Sequence, residues 1–283
     1  MLKARIFKKL YTLSKESFDT IISLLSVLFL SSFSTARKFK KLDINKKNDT
    51  CYILGNGPSL KAELDKNIEL FCENDVIVIN TMCKSPFYKV IKPKYYILLD
   101  PIIFDSKWSE YDVVVDGLLN TDWEMILFLP KNLCPKKYHS IFTANPNLKI
   151  VFFNYTRIVG FSNITFFLYK HNLGMPYLRN VMTQAIMCAI NKGYKKVLLY
   201  GADHSWTRDL DADENNRIFI KDKHFYEADV KRYLPVGMYR EYLYQHYVTF
   251  LSHHIMNKYS KYRGTRIINK TKFSFIEDYD TEE

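Results

Sequence analysis

Seven short apolar runs, set between stretches of helical period, constrain this chain more than any other feature it carries. They lie at 52–54, 76–79, 95–99, 125–129, 149–153, 196–200 and 266–268. Each is continuous rather than alternating, which is the pattern of a strand covered on both faces in a parallel sheet. Helical patterns separate several of them, notably at 180–192 and 238–261. Strand–helix alternation at this spacing predicts an α/β fold, Rossmann-like, with a mostly parallel sheet and helices on both faces. Residues 204–236 lack a strong period and are rich in charge and aromatics, as a lid segment would be. A chain of 283 residues is long enough for one large domain of this kind.

The net charge of +11 invites a nucleic-acid reading, but its distribution argues against one. Residues 1–50 carry eleven Lys/Arg against four acids, so +7 of the excess belongs to this segment. Residues 20–36 hold no charge, and basic clusters flank them on both sides. Seventeen residues diluted by serines sit at the lower edge of a membrane span. Basic flanks around an apolar stretch suit a helix lying in an anionic membrane interface. The division expected is 1–48 as a basic, membrane-associating segment and linker, with 49–283 as the Rossmann-like domain. Localisation at the cytoplasmic face of an inner membrane follows as an expectation, held peripherally or by a single anchor. The rival readings are a signal-anchor span, a cleaved signal peptide and a helix packed on the protein's own core. Five cysteines without a CxxC spacing indicate neither a disulfide framework nor a zinc site.

In an open parallel sheet, ligands bind beyond the carboxyl ends of the strands. Four polar residues follow four predicted strands there: Asn56, Asn80, Asp100 and Asp203. The first belongs to Gly55-Asn-Gly-Pro-Ser59, in which glycine permits a tight turn and close approach to a ligand. Pro58 suits a first helical turn, and Ser59 or the helix amides can face an anion. The dinucleotide fingerprint and the P-loop are both excluded, since Leu60 stands where a third glycine is needed and no Gly-Lys-Ser/Thr follows. The acidic stretch Asp209-Leu-Asp-Ala-Asp213 reads as a solvated loop, because it lacks the glycine and distal glutamate of a calcium site. No metal is expected.

Asn56-Gly-Pro-Ser59 resembles the opening motif of the bacterial sialyltransferases that use a CMP-activated sugar. It is similar too to flagellin-modifying and uncharacterised proteins of the same fold. The resemblance continues in order through Ile79-Asn80-Thr81, Asp100-Pro101, the stretch from Met182-Thr183 to Gly193-Tyr194, Gly201-Ala-Asp203 and the closing 268–274. It implies a metal-independent, inverting glycosyltransferase that moves a sugar, sialic acid or a related acid sugar, from a nucleotide sugar to a surface glycan or lipid-linked acceptor. It implies no cofactor beyond that co-substrate, with a CMP link favoured. The residues it assigns to nucleotide binding are Asn56, Gly57, Ser59, Asn80, Thr81, Asp100, Thr183 and Asp203. Two departures stand out. Asp100 replaces an Asn, and His204-Ser-Trp206 replaces an aromatic pair.

The resemblance also implies a histidine general base. An imidazole titrating near neutrality suits removal of a hydroxyl proton. His224, within the lid, is the first candidate, and His204, directly after the strand carrying Asp203, is the second. His246 lies closest to the family base when counted back from the closing strand, but its mid-helix position allows a packing role. A pyrophosphokinase of the same fold and a membrane-tethered scaffold without catalysis are the alternatives. Partners expected are a nucleotide sugar, a glycan or glycolipid acceptor and an anionic membrane surface, with no nucleic acid; an oligomer is compatible with the sequence.

Overall fold

The computed structural model describes residues 2–177, 179–222 and 230–282. His224 therefore lies outside the described residues. The chain opens with two helices, α1 (Leu2–Leu30) and α2 (Phe33–Lys41). The alternating body follows as β1 (Thr50–Leu54), α3 (Leu60–Glu73), β2 (Asp75–Ile79), α4 (Phe87–Ile91), β3 (Tyr95–Ile97), α5 (Tyr111–Leu119), β4 (Met125–Pro130), α6 (Lys136–Phe142) and β5 (Leu148–Phe153). Two helices then run in succession, α7 (Ser162–Lys170) and α8 (Val181–Asn191), before β6 (Lys196–Tyr200). Three short strands, β7 (Leu210–Ala212), β8 (Ile218–Asp222) and β9 (Val230–Tyr233), precede the long α9 (Tyr239–Arg263) and the closing β10 (Arg266–Asn269).

Among the described residues, seven strands pair in the order β10-β6-β1-β2-β3-β4-β5, every pair parallel. All seven apolar runs of the sequence are strands of this sheet, and the Rossmann-like α/β expectation holds. The chain steps outward from β1 to β5, then crosses back to place β6 on the other side of β1. That reversal is the topological switch point, where neighbouring loops diverge and leave a crevice. Two cores explain why the runs are continuous. In β1, Cys51 and Ile53 face the layer containing α8, while Tyr52 and Leu54 face the layer containing α3, and all four are buried.

The N-terminal segment rests on this body. Ser23 in α1 accepts from the Val159 amide at 2.9 Å and donates to its carbonyl at 2.7 Å. Ser32, which caps α2, exchanges backbone bonds with the Asn154 side chain at 2.8 and 3.0 Å. Phe39 of α2 is in the core, so the segment ahead of the domain stays helical as far as Lys41. Polar residues at 38, 40 and 41 face outward while Phe39 faces in, a helical face too short to recognise beside so many lysines. No single helix among the described residues is long and apolar enough to cross a membrane.

The 204–236 segment holds structure that its sequence conceals. Strands β7, β8 and β9 form a separate antiparallel sheet, with Ile220 opposite Leu210 and Arg232. Strands of three to five residues are too short to display a two-residue period against a background of charge.

Candidate active site

A cleft of about 790 Å³ opens at the carboxyl ends of β1, β2, β3 and β6. Loops after these strands form its floor, and Ile220, Lys221 and Arg232 of the small sheet line it from the lid side. The start of α8 supplies Arg179 and Asn180, and α9 supplies Gln245, His246 and Thr249. Of the residues expected from the sequence, Asn56, Gly57, Asn80, Thr81, Asp100, Asp203 and His204 all line this one cleft. Ser59 and Thr183 do not.

The loop after β1 is built around Asp203. A Cβ on Gly57 would stand 2.0 Å from the Asp203 carboxylate, so no other residue fits without moving it. Ser59 donates to that carboxylate through its hydroxyl at 2.7 Å and its amide at 3.3 Å. The anion at the α3 N-terminus is thus an intramolecular carboxylate, and Ser59 is spent on it instead of on a ligand. Burial raises the Asp203 pKa above its ordinary value, while the two Ser59 bonds pull it down. Asn56 is different. Its amide donates to the Ile79 carbonyl and the Thr81 hydroxyl, both at 3.2 Å, while its own carbonyl oxygen is buried and meets no hydrogen-bond partner among the described residues. A buried acceptor left unpaired costs about 1–3 kcal/mol, and a bound donor group would recover it.

Asn80 takes the left-handed conformation (φ 46°) that asparagine tolerates better than most residues. Its side-chain oxygen accepts from the Leu99 amide at 3.1 Å and the Asp100 amide at 3.4 Å, stitching the end of β2 to the end of β3. Asp100 is exposed at the lip and caps the turn that follows by accepting from the Ile102 amide. Thr183 is fully buried and donates to the Asn180 carbonyl at 2.8 Å. The cleft is lined instead by Asn180, which caps α8, and by Val181 and Met182 at its start.

A histidine cluster closes one wall. Asn180 Oδ1 accepts from the Met182 amide, which orients its Nδ2 donor toward His204 Nε2 at 2.8 Å. His253 Nε2 lies 3.0 Å from the same His204 nitrogen, and His253 Nδ1 lies 2.9 Å from the Tyr279 hydroxyl. One proton arrangement satisfies all three contacts. Tyr279 donates to His253 Nδ1, His253 donates from Nε2, and the single lone pair of His204 Nε2 is shared between His253 and Asn180, an assignment that leaves the His204 proton on Nδ1. Burial holds both imidazoles neutral: His253 falls to about 3, and His204 sits well below its usual value, with the neighbouring His253 and His246 adding to the effect. His204 therefore has no free basic nitrogen, although its Nδ1 proton can be donated. His246 stacks on Trp206 at 4.9 Å and meets Tyr242 edge-on at 4.2 Å. Its Nε2 is buried with no partner among the described residues, and burial lowers its pKa.

Several cleft residues escaped the sequence reading, Tyr155, Arg179, Lys221 and Arg232 among them. Tyr155 follows β5 by two residues, so the rule that singled out Asn56 and Asn80 applied to it as well. Arg179 sits in an aperiodic loop with no distinguishing signal, and it reaches Glu241 of α9 at 3.7 Å. The acidic stretch is occupied otherwise: Asp213 pairs with Arg217 at 2.7 Å and Asp211 with Lys221 at 3.5 Å, while Asp209 lines the cleft. Among the described residues no three His, Cys, Asp or Glu stand together as a metal site would require.

No family model matches the chain, and no curated protein matches it in sequence. Solved structures do. The MAf glycosyltransferase from Magnetospirillum magneticum AMB-1 superposes over 89% of the chain with a TM-score of 0.52 at 12% identity; the chain spans only 38% of that protein's length. The α-2,3-sialyltransferase from Campylobacter jejuni, in its apo form, aligns over 85% of this chain and 82% of its own, with a TM-score of 0.42 and 17% identity. At 12% identity the likeness to the MAf glycosyltransferase is one of fold. The suspected resemblance stands at that level: this chain has the Rossmann-like fold of a bacterial glycosyltransferase, with its polar strand ends gathered in one cleft.

Proposed function

We propose that the protein is an inverting glycosyltransferase that uses a nucleotide-activated sugar, with CMP the favoured nucleotide and an acid sugar the favoured cargo. The observation that carries this reading is the pairing, in one cleft, of an unsatisfied acceptor and an unsatisfied base. The Asn56 carbonyl is placed at the switch point, where it can receive a ribose hydroxyl or a base amino group. The His246 Nε2 belongs to the same cleft, is kept neutral by burial and meets no hydrogen-bond partner among the described residues.

In this reading His246, rather than the first candidate His224 or the saturated His204, takes the acceptor hydroxyl proton on Nε2. The acceptor oxygen attacks the anomeric carbon from the face opposite the nucleotide. The bond from that carbon to the phosphate oxygen breaks, and both its electrons leave with the phosphate. Lys221 and Arg232 on the lid carry the positive charge that a departing phosphate requires, and His204 can donate from Nδ1. Asp100 lies at the lip as an acceptor for sugar hydroxyls.

The test is incubation with CMP-, UDP- and GDP-sugars, following nucleotide release and the anomeric configuration of the product. CMP release with inversion is expected. Absence of both turnover and binding across the panel would refute the assignment, and dependence on ATP with Mg²⁺ would transfer it to a pyrophosphokinase.

A further inference from the structure

Helix α1 is amphipathic in the reverse of the usual sense. Its inward face is largely hydroxylic: beside the buried Val27, Thr20 and Ser23 are buried and bond the backbone of residues 159–161, and Ser31 just beyond the helix donates to the Leu173 carbonyl at 2.6 Å. Its outward face is apolar, with Phe7 78%, Leu28 63% and Phe29 77% exposed in a row that also includes Ile21, Leu24 and Leu25. A contiguous apolar face of this size on a folded domain marks a site of contact. The body does not cover it.

Charge decides what does. Arg5, Lys9 and Lys15 are exposed at one end, and Arg37, Lys38, Lys40 and Lys41 are exposed on α2 at the other. A second copy of this chain would bring basic cluster against basic cluster, whether the helices paired parallel or antiparallel. An anionic bilayer complements both clusters at once and accepts the phenylalanine and leucine side chains between them.

The placement of this face adds the functional step. The loop at 154–161 that holds α1 leaves the carboxyl end of β5, and Asn132, just after β4, donates to the Leu30 carbonyl at 2.7 Å. Tyr155 in the same loop lines the cleft. The apolar face is therefore anchored at the end of the sheet where the cleft opens. We propose that α1 and α2 seat the protein on an anionic lipid surface, and that the cleft serves an acceptor held in that surface. The seating stands on its own; the acceptor step rests on the transferase reading.

The experiment is co-sedimentation of the full-length protein with phosphatidylcholine vesicles, pure or carrying phosphatidylglycerol, without any nucleotide sugar. Binding should require the anionic lipid and weaken with salt. The double variant Leu28→Asp/Phe29→Asp should lose on the order of 100-fold in apparent affinity. Lys40→Gln/Lys41→Gln should lose roughly tenfold or more. Both sites are exposed, so thermal midpoints and CMP binding should match the parent, which separates failure of docking from failure of the cleft. Equal binding to both vesicle types would overturn the proposal. So would a lipid-free dimer in sedimentation velocity that Leu28→Asp/Phe29→Asp dissociates.

Discussion

His246 and Asn56 are residues whose loss should be informative, because each lines the cleft and carries a buried atom with no hydrogen-bond partner among the described residues. In the proposed transferase reading, replacing His246 removes proton transfer but leaves the nucleotide contacts. His246→Asn should therefore lower kcat by roughly 10²–10⁴-fold with nucleotide affinity kept, as read by turnover and by thermal shift with CMP. Because burial depresses the His246 pKa, the parent kcat/KM should fall only at pH below about 6.5, and the variant should lack that acid limb. Asn56→Ala should weaken nucleotide binding about tenfold, the worth of one hydrogen bond in a buried site, which calorimetric titration would measure. The buried histidines also make a prediction about stability. His204 and His253 have folded pKa values depressed below their unfolded values near 6.5, His253 to about 3. The unfolded chain then binds more protons than the folded one in this window. Stability is complete above pH 6.5 and is lost as pH falls toward the folded values, by roughly 1.4 kcal/mol per pH unit for each histidine. Denaturation midpoints at pH 7.5 and pH 5 would test this; equal midpoints would contradict the buried, neutral pair.

At the scale of elements, the fold depends on close approaches that only small side chains allow. Gly160 has φ 126°, and a Cβ there would lie 2.2 Å from the Thr20 hydroxyl of α1. Gly160→Ala should strain the backbone and push α1 from its seat. The expected outcome is a fall of several degrees in the thermal midpoint and faster amide exchange confined to α1 and the 154–161 loop. The same packing explains what the sequence disclosed about this segment. The length and basic flanks of α1 are local properties and were readable. The inward turn of its serines, with the leucines left outside, depends on which carbonyls the 154–161 loop presents, and no pattern within α1 reports that. Strands β1 to β6 and β10 were legible for the opposite reason, since burial on both faces writes itself into a run of apolar residues. The β7–β9 sheet was not, because its strands are half-exposed and three to five residues long.

For the whole molecule, the sequence alone determined the layered α/β architecture, the seven strand positions and the convergence of Asn56, Asn80, Asp100 and Asp203 on one edge of the sheet. Those follow from local rules: apolar runs form strands, and parallel strands share a carboxyl end. Tertiary structure decided which of those residues remain available to a ligand. Asp203 is drawn to Ser59, Asn80 to the backbone after β3, and Thr183 into the core, whereas Asn56 and His246 each keep a buried acceptor with no partner among the described residues. The His204–His253–Tyr279 chain joins residues 49 and 26 positions apart, and its proton arrangement exists only because three elements meet there. Hydrogen-bond capacity is consumed by whichever partner lies nearest in space. A sequence lists the donors and acceptors of a site, and the fold determines which ones have already been used.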